Sequence, residues 1–240
     1  MRVGLIVPSS NPTIEAFLPA VAGVLGVSFL VTRIGVRRIA ADPTSDAQFD
    51  IAGLASAAAL LADAEVSLIS WAGTAGFWLG VEREAAVLAA AAEVGVPVVS
   101  SRMAMMAALE EMTDPQLGVF TPYVADIHQR VVATLSDAGY VVAGDKAMGI
   151  ERNLDFAAIP ADVVATELRA LAGSGATVLP LVCTNVLGTL PAMAQESALV
   201  LDSVLATLWD ATCRVGATSM SYADCYRAVL AGRCHPEETQ

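Results

Sequence analysis

The 240-residue chain has only two histidines, thirteen lysines and arginines, and four cysteines. Each shortage excludes something. Against 25 acidic residues the few basic ones leave a formal net charge of −12 at pH 7. A general nucleic-acid binder needs a basic footprint, so that class is set aside. A zinc site or a Ser-His-Asp triad needs well-placed histidines. His128 falls in the helix after Tyr123 and His235 in the polar tail, and neither stands beside a Cys or carboxylate motif. Cys183, Cys213, Cys225 and Cys234 form no CxxC pair and no metal-ligand spacing. The mean hydropathy is high, +0.61, yet no apolar run reaches the roughly 18–20 residues of a membrane span. The longest, from Ile51 to Leu61, is Ala-rich and stops at Asp63. The opening Met1-Arg2-Val3-Gly4-Leu5-Ile6-Val7-Pro8 is too short and too soon broken for a signal peptide and reads as a first strand. With no export signal, the cysteines are expected to be reduced thiols of a cytoplasmic protein.

What the chain has is alternation. Short β-branched runs at 3–7, 27–33, 66–70 and 96–100 alternate with Ala/Leu-rich helical stretches at 13–25, 51–62, 81–94 and from Ser101 onward. The pattern then restarts. A strand at 117–121, a helix at 124–138, an extended segment at 140–148, a helix at 160–172 and a strand at 177–182 follow. A loop, a long helix at about 197–213 and a closing helix at 222–234 complete it. Strand–helix alternation with nearly continuous apolar strands implies parallel sheets covered on both faces.

The halves resemble each other. Gly4-Leu5-Ile6-Val7-Pro8 corresponds to Gly118-Val119-Phe120-Thr121-Pro122, and Ser70-Trp71-Ala72-Gly73-Thr74 to Pro180-Leu181-Val182-Cys183-Thr184. This predicts a duplicated α/β protein with two pseudo-symmetric lobes, each carrying a mostly parallel four-stranded sheet. The expected boundaries are 1–113 and 114–215, joined at Thr113-Asp114-Pro115-Gln116, with helix 216–240 returning to the first lobe. Parallel sheets bind ligands beyond the carboxyl ends of their strands. Two such lobes facing each other form a cleft.

Four strand-end loops wall that cleft. Pro8-Ser9-Ser10-Asn11-Pro12-Thr13 leads into a helix, so its polar side chains either cap that helix or meet a carboxylate or phosphate. It is neither a Walker A loop nor a GxGxxG fingerprint, which argues against nucleotides. Gly73-Thr74-Ala75-Gly76 is a tight turn or a close backbone approach to a ligand. Tyr123, after Thr121-Pro122, either packs in the core or aims its phenol into the cleft. Cys183-Thr184-Asn185 follows an apolar strand and faces a helix start, where a thiol can be activated. The other cysteines read as structural. Arg37 and Arg38 read as solvated loop charges or carboxylate ligands.

Together, Pro8-Ser9-Ser10-Asn11, Gly73-Thr74, Thr121-Pro122-Tyr123, Gly149-Ile150 with Asn153, and Cys183-Thr184-Asn185 resemble the aspartate/glutamate racemase superfamily. Within it the chain resembles the branch of maleate cis-trans isomerases and arylmalonate decarboxylases. The resemblance implies two Rossmann-like lobes, an active site between them, and no cofactor or metal. Racemases and isomerases of the superfamily use one cysteine on each lobe. Here only the second, Cys183, is kept, and Gly73 stands at the first. Gly-Thr at the first site with one thiol at the second is similar to the decarboxylases, in which a lone cysteine protonates an enediolate after CO2 leaves. Asn11, Tyr123, Asn153 and Cys183-Thr184-Asn185 are similar to the isomerases, and Ala75 stands where the decarboxylases have a serine.

The expected function is therefore a cofactor-independent decarboxylase of a small carboxylic acid. Cys183 is the expected proton donor. Asn11, Gly73, Thr74, Ala75, Tyr123, Asn153 and Thr184 are the expected substrate-binding residues. The alternatives are an isomerase or racemase using Cys183, another Cys-dependent enzyme, or a non-catalytic carboxylate binder. The expected partner is the small acid itself, with no nucleic acid or membrane. The oligomeric state stays open.

Overall fold

The structure is a computed structural model that describes residues 1–186 and 198–233. The first lobe runs β1 (Arg2–Pro8), α1 (Thr13–Leu25), β2 (Ser28–Ile34), α2 (Pro43–Asp46), α3 (Ile51–Ala62), β3 (Leu68–Trp71), α4 (Gly76–Leu79), α5 (Val81–Ala91), β4 (Val98–Ser100) and α6 (Ser101–Glu110). The second runs β5 (Gln116–Tyr123), α7 (Ala125–Asp137), β6 (Val141–Ile150), α8 (Asn153–Phe156), α9 (Ala161–Gly173), β7 (Val178–Leu181), β8 (Leu199–Asp202) and α10 (Ser203–Arg214). A closing helix, α11 (Tyr222–Arg233), follows. The sheets have the orders β2-β1-β3-β4 and β6-β5-β7-β8, the same order twice. Every pairing within them is parallel.

The duplication is visible in packing detail. Gly4 on β1 lies beneath Leu61 of α3, where a Cβ would come within 2.8 Å of the leucine. Gly118 on β5 lies beneath Leu171 of α9, where a Cβ would come within 2.9 Å. In both lobes a strand glycine lets a crossing helix approach the sheet closely. The helices equivalent by this symmetry, α6 and α10, pack on one another and join the lobes. Ser101 and Thr207 meet there as a buried hydroxyl pair at 2.7 Å.

The fourth strand of the second lobe departs from the sequence reading. Residues 199–202, taken as the start of a long helix, form β8 and pair with β7 in parallel register. Asp202 marks the change to helix, its carboxylate accepting from the Val204 and Leu205 amides at 2.8 and 2.9 Å. This is an N-cap, whose backbone is extended by nature. Ser197, the expected start of that helix, lies outside the described residues. At the other end, α11 packs against α1 and α10. Its Tyr222 is fully buried, donates to Val200 O at 3.0 Å and accepts from Asp202 N at 2.8 Å. Cys234 and His235 lie outside the described residues. Among the described residues no helix is long and apolar enough to cross a membrane.

Candidate active site

The carboxyl ends of β1, β3, β5 and β7 meet between the lobes, and their loops are bonded together. Asn11 caps α1, its Oδ1 accepting from the Thr13 and Ile14 amides at 2.9 and 3.2 Å. Its Nδ2 crosses to the other lobe and donates to Thr184 O at 2.9 Å and Thr184 Oγ1 at 3.2 Å. Thr184 in turn donates back to Ala72 O at 3.0 Å. Asn185 accepts from Thr13 Oγ1 at 3.0 Å and donates to Asn153 O at 2.5 Å. Asn153 Nδ2 donates to Ser10 Oγ at 2.8 Å, and Ser10 passes the contact to Val36 O at 2.6 Å. Asn11, Thr13 and Ser10 of the first lobe are thus tied to Thr184, Asn185 and Asn153 of the second, in bonds that are buried or partly buried.

The network corrects one expectation. Asn11 is wholly buried and does not line the cavity, because both ends of its amide are engaged by protein. Of the two readings of the first loop, helix capping describes Asn11. Arg37 and Arg38 also stand away from the cavity. Arg38 pairs with Asp42 at 2.7 Å and Glu151 at 2.9 Å. The Arg37 carbonyl accepts from Asn153 N at 2.9 Å. The two arginines thus help dock the first lobe onto the loop that carries Asn153.

Inside the ring of loops is a narrow cavity of about 20 Å³, room for about one water molecule. Gly73, Thr74, Ala75, Tyr123, Asn153, Cys183 and Thr184 line one part of it, so seven of the eight expected site residues come together. Val36, Ile39, Phe49 and Trp78 form an apolar wall. Among the described residues no Lys, Arg or His lines the cavity.

Three side chains form a chain across the cleft. Thr74 Oγ1 and Tyr123 Oη are 2.8 Å apart, and Tyr123 hydrogen bonds in turn with Cys183. The Asn185 amide reaches Cys183 Sγ at 3.4 Å. Burial pushes the Cys183 thiol up to about 12. The Asn185 amide and the Tyr123 hydroxyl pull it back in part, while the Asp202 carboxylate adds to the rise. Burial likewise holds the Tyr123 phenol well above its usual range. The loop geometry after β7 therefore does not make a thiolate at neutral pH. It makes a neutral S–H donor. Cys213 and Cys225 lie on α10 and α11, away from the cavity.

On the facing wall, Gly73 occupies the position equivalent to Cys183. A Cβ there would lie 2.8 Å from Trp71 Nε1 and 3.1 Å from Cε2. The indole fills the space a side chain would need.

The structure also corrects the reading of His128. It is buried, with Nδ1 2.9 Å from Thr121 Oγ1 and Nε2 2.8 Å from Asp145 Oδ1. A carboxylate partner exists, seventeen residues away on the neighbouring strand. The trio braces β5 against β6 and α7, and none of its members lines the cavity. Phe49, Trp71 and Trp78 were missed by sequence reasoning. An aromatic chain links them to the site: Phe49–Trp71 at 5.9 Å, Phe49–Trp78 at 6.1 Å, Trp78–Tyr123 at 5.0 Å and Tyr123–Phe156 at 5.4 Å between ring centroids. With so few aromatics in the chain, two Trp at 71 and 78 flanking the Gly73 turn were the available signal.

A two-lobed α/β fold with a small cleft cavity lined by neutral polar groups and one thiol defines a narrow class. The arylmalonate decarboxylase family model matches residues 3–226. The chain belongs to that family. Among curated proteins, the maleate isomerase of Nocardia farcinica is 27% identical over 202 residues, covering 79% of this chain and 78% of the relative. The maleate isomerase of Pseudomonas putida is 26% identical over 217 residues, covering 82% and 83%. Among solved structures, Nocardia farcinica maleate cis-trans isomerase with a covalently bound succinylcysteine intermediate superposes with TM-score 0.79 at 26% identity, covering 90% of this chain and 92% of that one. A liganded mutant of arylmalonate decarboxylase superposes with TM-score 0.78 at 19% identity, covering 93% and 97%. This branch holds both decarboxylases and isomerases.

Proposed function

We propose that the protein is a cofactor-independent decarboxylase of a small substituted malonate, with Cys183 as the proton donor. The observation that carries this is the asymmetry of the cavity: a neutral buried thiol on one wall and glycine backed by indole on the other. Thr74 and Tyr123, with the backbone N–H groups at Thr74 and Ala75, hold the retained carboxylate, and Asn153 and Thr184 border it. Asn11 acts indirectly, by fixing Thr184.

The C–C bond to the second carboxylate breaks. That carboxylate leaves as CO2, and its bonding electrons pass into an enediolate on the first. The donors strengthen as charge gathers there, which lowers the barrier. The apolar wall of Val36, Ile39, Phe49 and Trp78 favours neutral CO2 over an ionised carboxylate. Cys183 S–H then protonates the carbon on one face, and water restores the thiol.

A second reading, a maleate isomerase acting through Cys183, is supported by the named activity of the curated relatives. A turnover screen of substituted malonates and maleate, followed by NMR in D2O, separates the two. Release of CO2 with one deuterium placed on carbon supports the decarboxylase. Conversion of maleate to fumarate with no reaction of malonates supports the isomerase. Binding without turnover supports a carboxylate binder.

A further inference from the structure

Trp71 is the last residue of β3 and is fully buried. Its indole Nε1–H has no hydrogen-bond partner among the described residues. Leaving a buried donor unsatisfied is costly, and tryptophan is normally buried with its N–H paired. The other two tryptophans differ. Trp209 donates to Met220 O at 2.8 Å, and Trp78 reaches the cavity.

The direction of the orphan donor is given by Gly73. This glycine lines the cavity, and the atom nearest to a Cβ built on it is Trp71 Nε1, at 2.8 Å. Its counterpart in the other lobe, Cys183, lines the same cavity. The indole N–H stands along the Cα–Cβ direction of Gly73, in the layer directly behind the residues that line the cavity. Phe49, itself on the cavity wall, packs against the indole at 5.9 Å and holds it in place.

We propose that Trp71 is a substrate-binding and face-determining residue: its Nε1–H donates to a carboxylate oxygen of the substrate over Gly73, and its ring fills the place a first-lobe thiol would take. The inference rests on the carboxylate reading of the cavity. It adds a neutral donor where no cation is present. It also gives Gly73 a reason. A side chain at 73 would have to displace a ring packed against Phe49, so the first face of the site is sealed and protonation is confined to the Cys183 side.

The test uses the full chain with 15N-labelled indoles, titrated with phenylacetate and with maleate. The Trp71 N–H resonance is assigned by its loss in Trp71→Phe. On saturation it should move downfield together with the Trp78 signal, while Trp209 stays still. Trp71→Phe should weaken both ligands by on the order of 10- to 100-fold, the usual worth of a hydrogen bond to a charged group, with the melting temperature unchanged or raised. Saturation that moves Trp78 but leaves the Trp71 N–H in place, or wild-type affinity in Trp71→Phe, overturns the donor role while the carboxylate reading stands. If neither ligand moves any indole, the carboxylate reading falls, and the donor role with it. The sealing role is read separately. Gly73→Cys should lower the melting temperature, and Trp71→Val added to it should recover stability and open two-face hydrogen exchange. A Gly73→Cys protein as stable as wild type would overturn the seal.

Discussion

Replacing Cys183 by alanine should remove the chemistry and leave binding. The thiol is raised to about 12, so at neutral pH it is protonated, as the proposed donor role requires. Loss of a positioned general acid costs on the order of 10²–10⁴-fold in rate, or about 3–5 kcal/mol at about 1.4 per decade. In the proposed mechanism the carboxylate is held by Thr74, Tyr123 and the turn after Gly73, so ligand affinity should change by less than about threefold, a size below one lost neutral hydrogen bond. Cys183→Ser should lose nearly as much rate, because a hydroxyl is a far weaker acid. Cys213→Ala and Cys225→Ala should keep the wild-type rate, since neither lines the cavity. The assay is turnover in D2O, reading rate and the stereochemistry of deuterium. The product should be one enantiomer. In wild type, activity should persist above pH 9 and fall only toward the thiol's raised value. Racemic product, or a Cys183→Ala enzyme near the wild-type rate, would refute Cys183 as the donor.

Tyr123→Phe should cut the rate about 10- to 100-fold and lower stability by about 1 kcal/mol, because it removes the hydroxyl that links Thr74 to Cys183; kinetics and calorimetry check both. Glu84→Ala should lower stability by about 3–5 kcal/mol, seen in denaturant melts. Glu84 is buried against Arg102 at 2.5 Å and Ser100 at 2.6 Å, and its loss leaves a buried cation unpaired. The raised thiol sets the sign of the alkaline response. Below the unfolded value near 9 its contribution is fully present, and it is lost as pH rises toward about 12. Wild type should therefore lose stability faster than Cys183→Ala across that window in pH-dependent melts. For the same reason Cys183 should resist alkylation by iodoacetamide at pH 8 in the native state, as judged by mass spectrometry.

The architecture was legible in the sequence, and so was the set of residues that come together around the cavity. Strand–helix alternation is local, and a duplicated chain prints its pattern twice, so the two sheets and the pairing of Gly73 with Cys183 could be read from spacing. What it could not separate were outcomes that depend on a partner distant in the chain. Leu199–Asp202 reads as helix until β7 offers an edge for it to pair with. Asn11 reads as a cap or a ligand donor until Thr184, 173 residues on, takes its amide. His128 looked unpartnered because Asp145 meets it only across the neighbouring strand. Trp71 reads as an ordinary core residue. Only the packed lobes set its N–H beside Gly73 and leave it without a partner among the described residues, because orientation and burial are set by neighbours that the linear order does not place side by side.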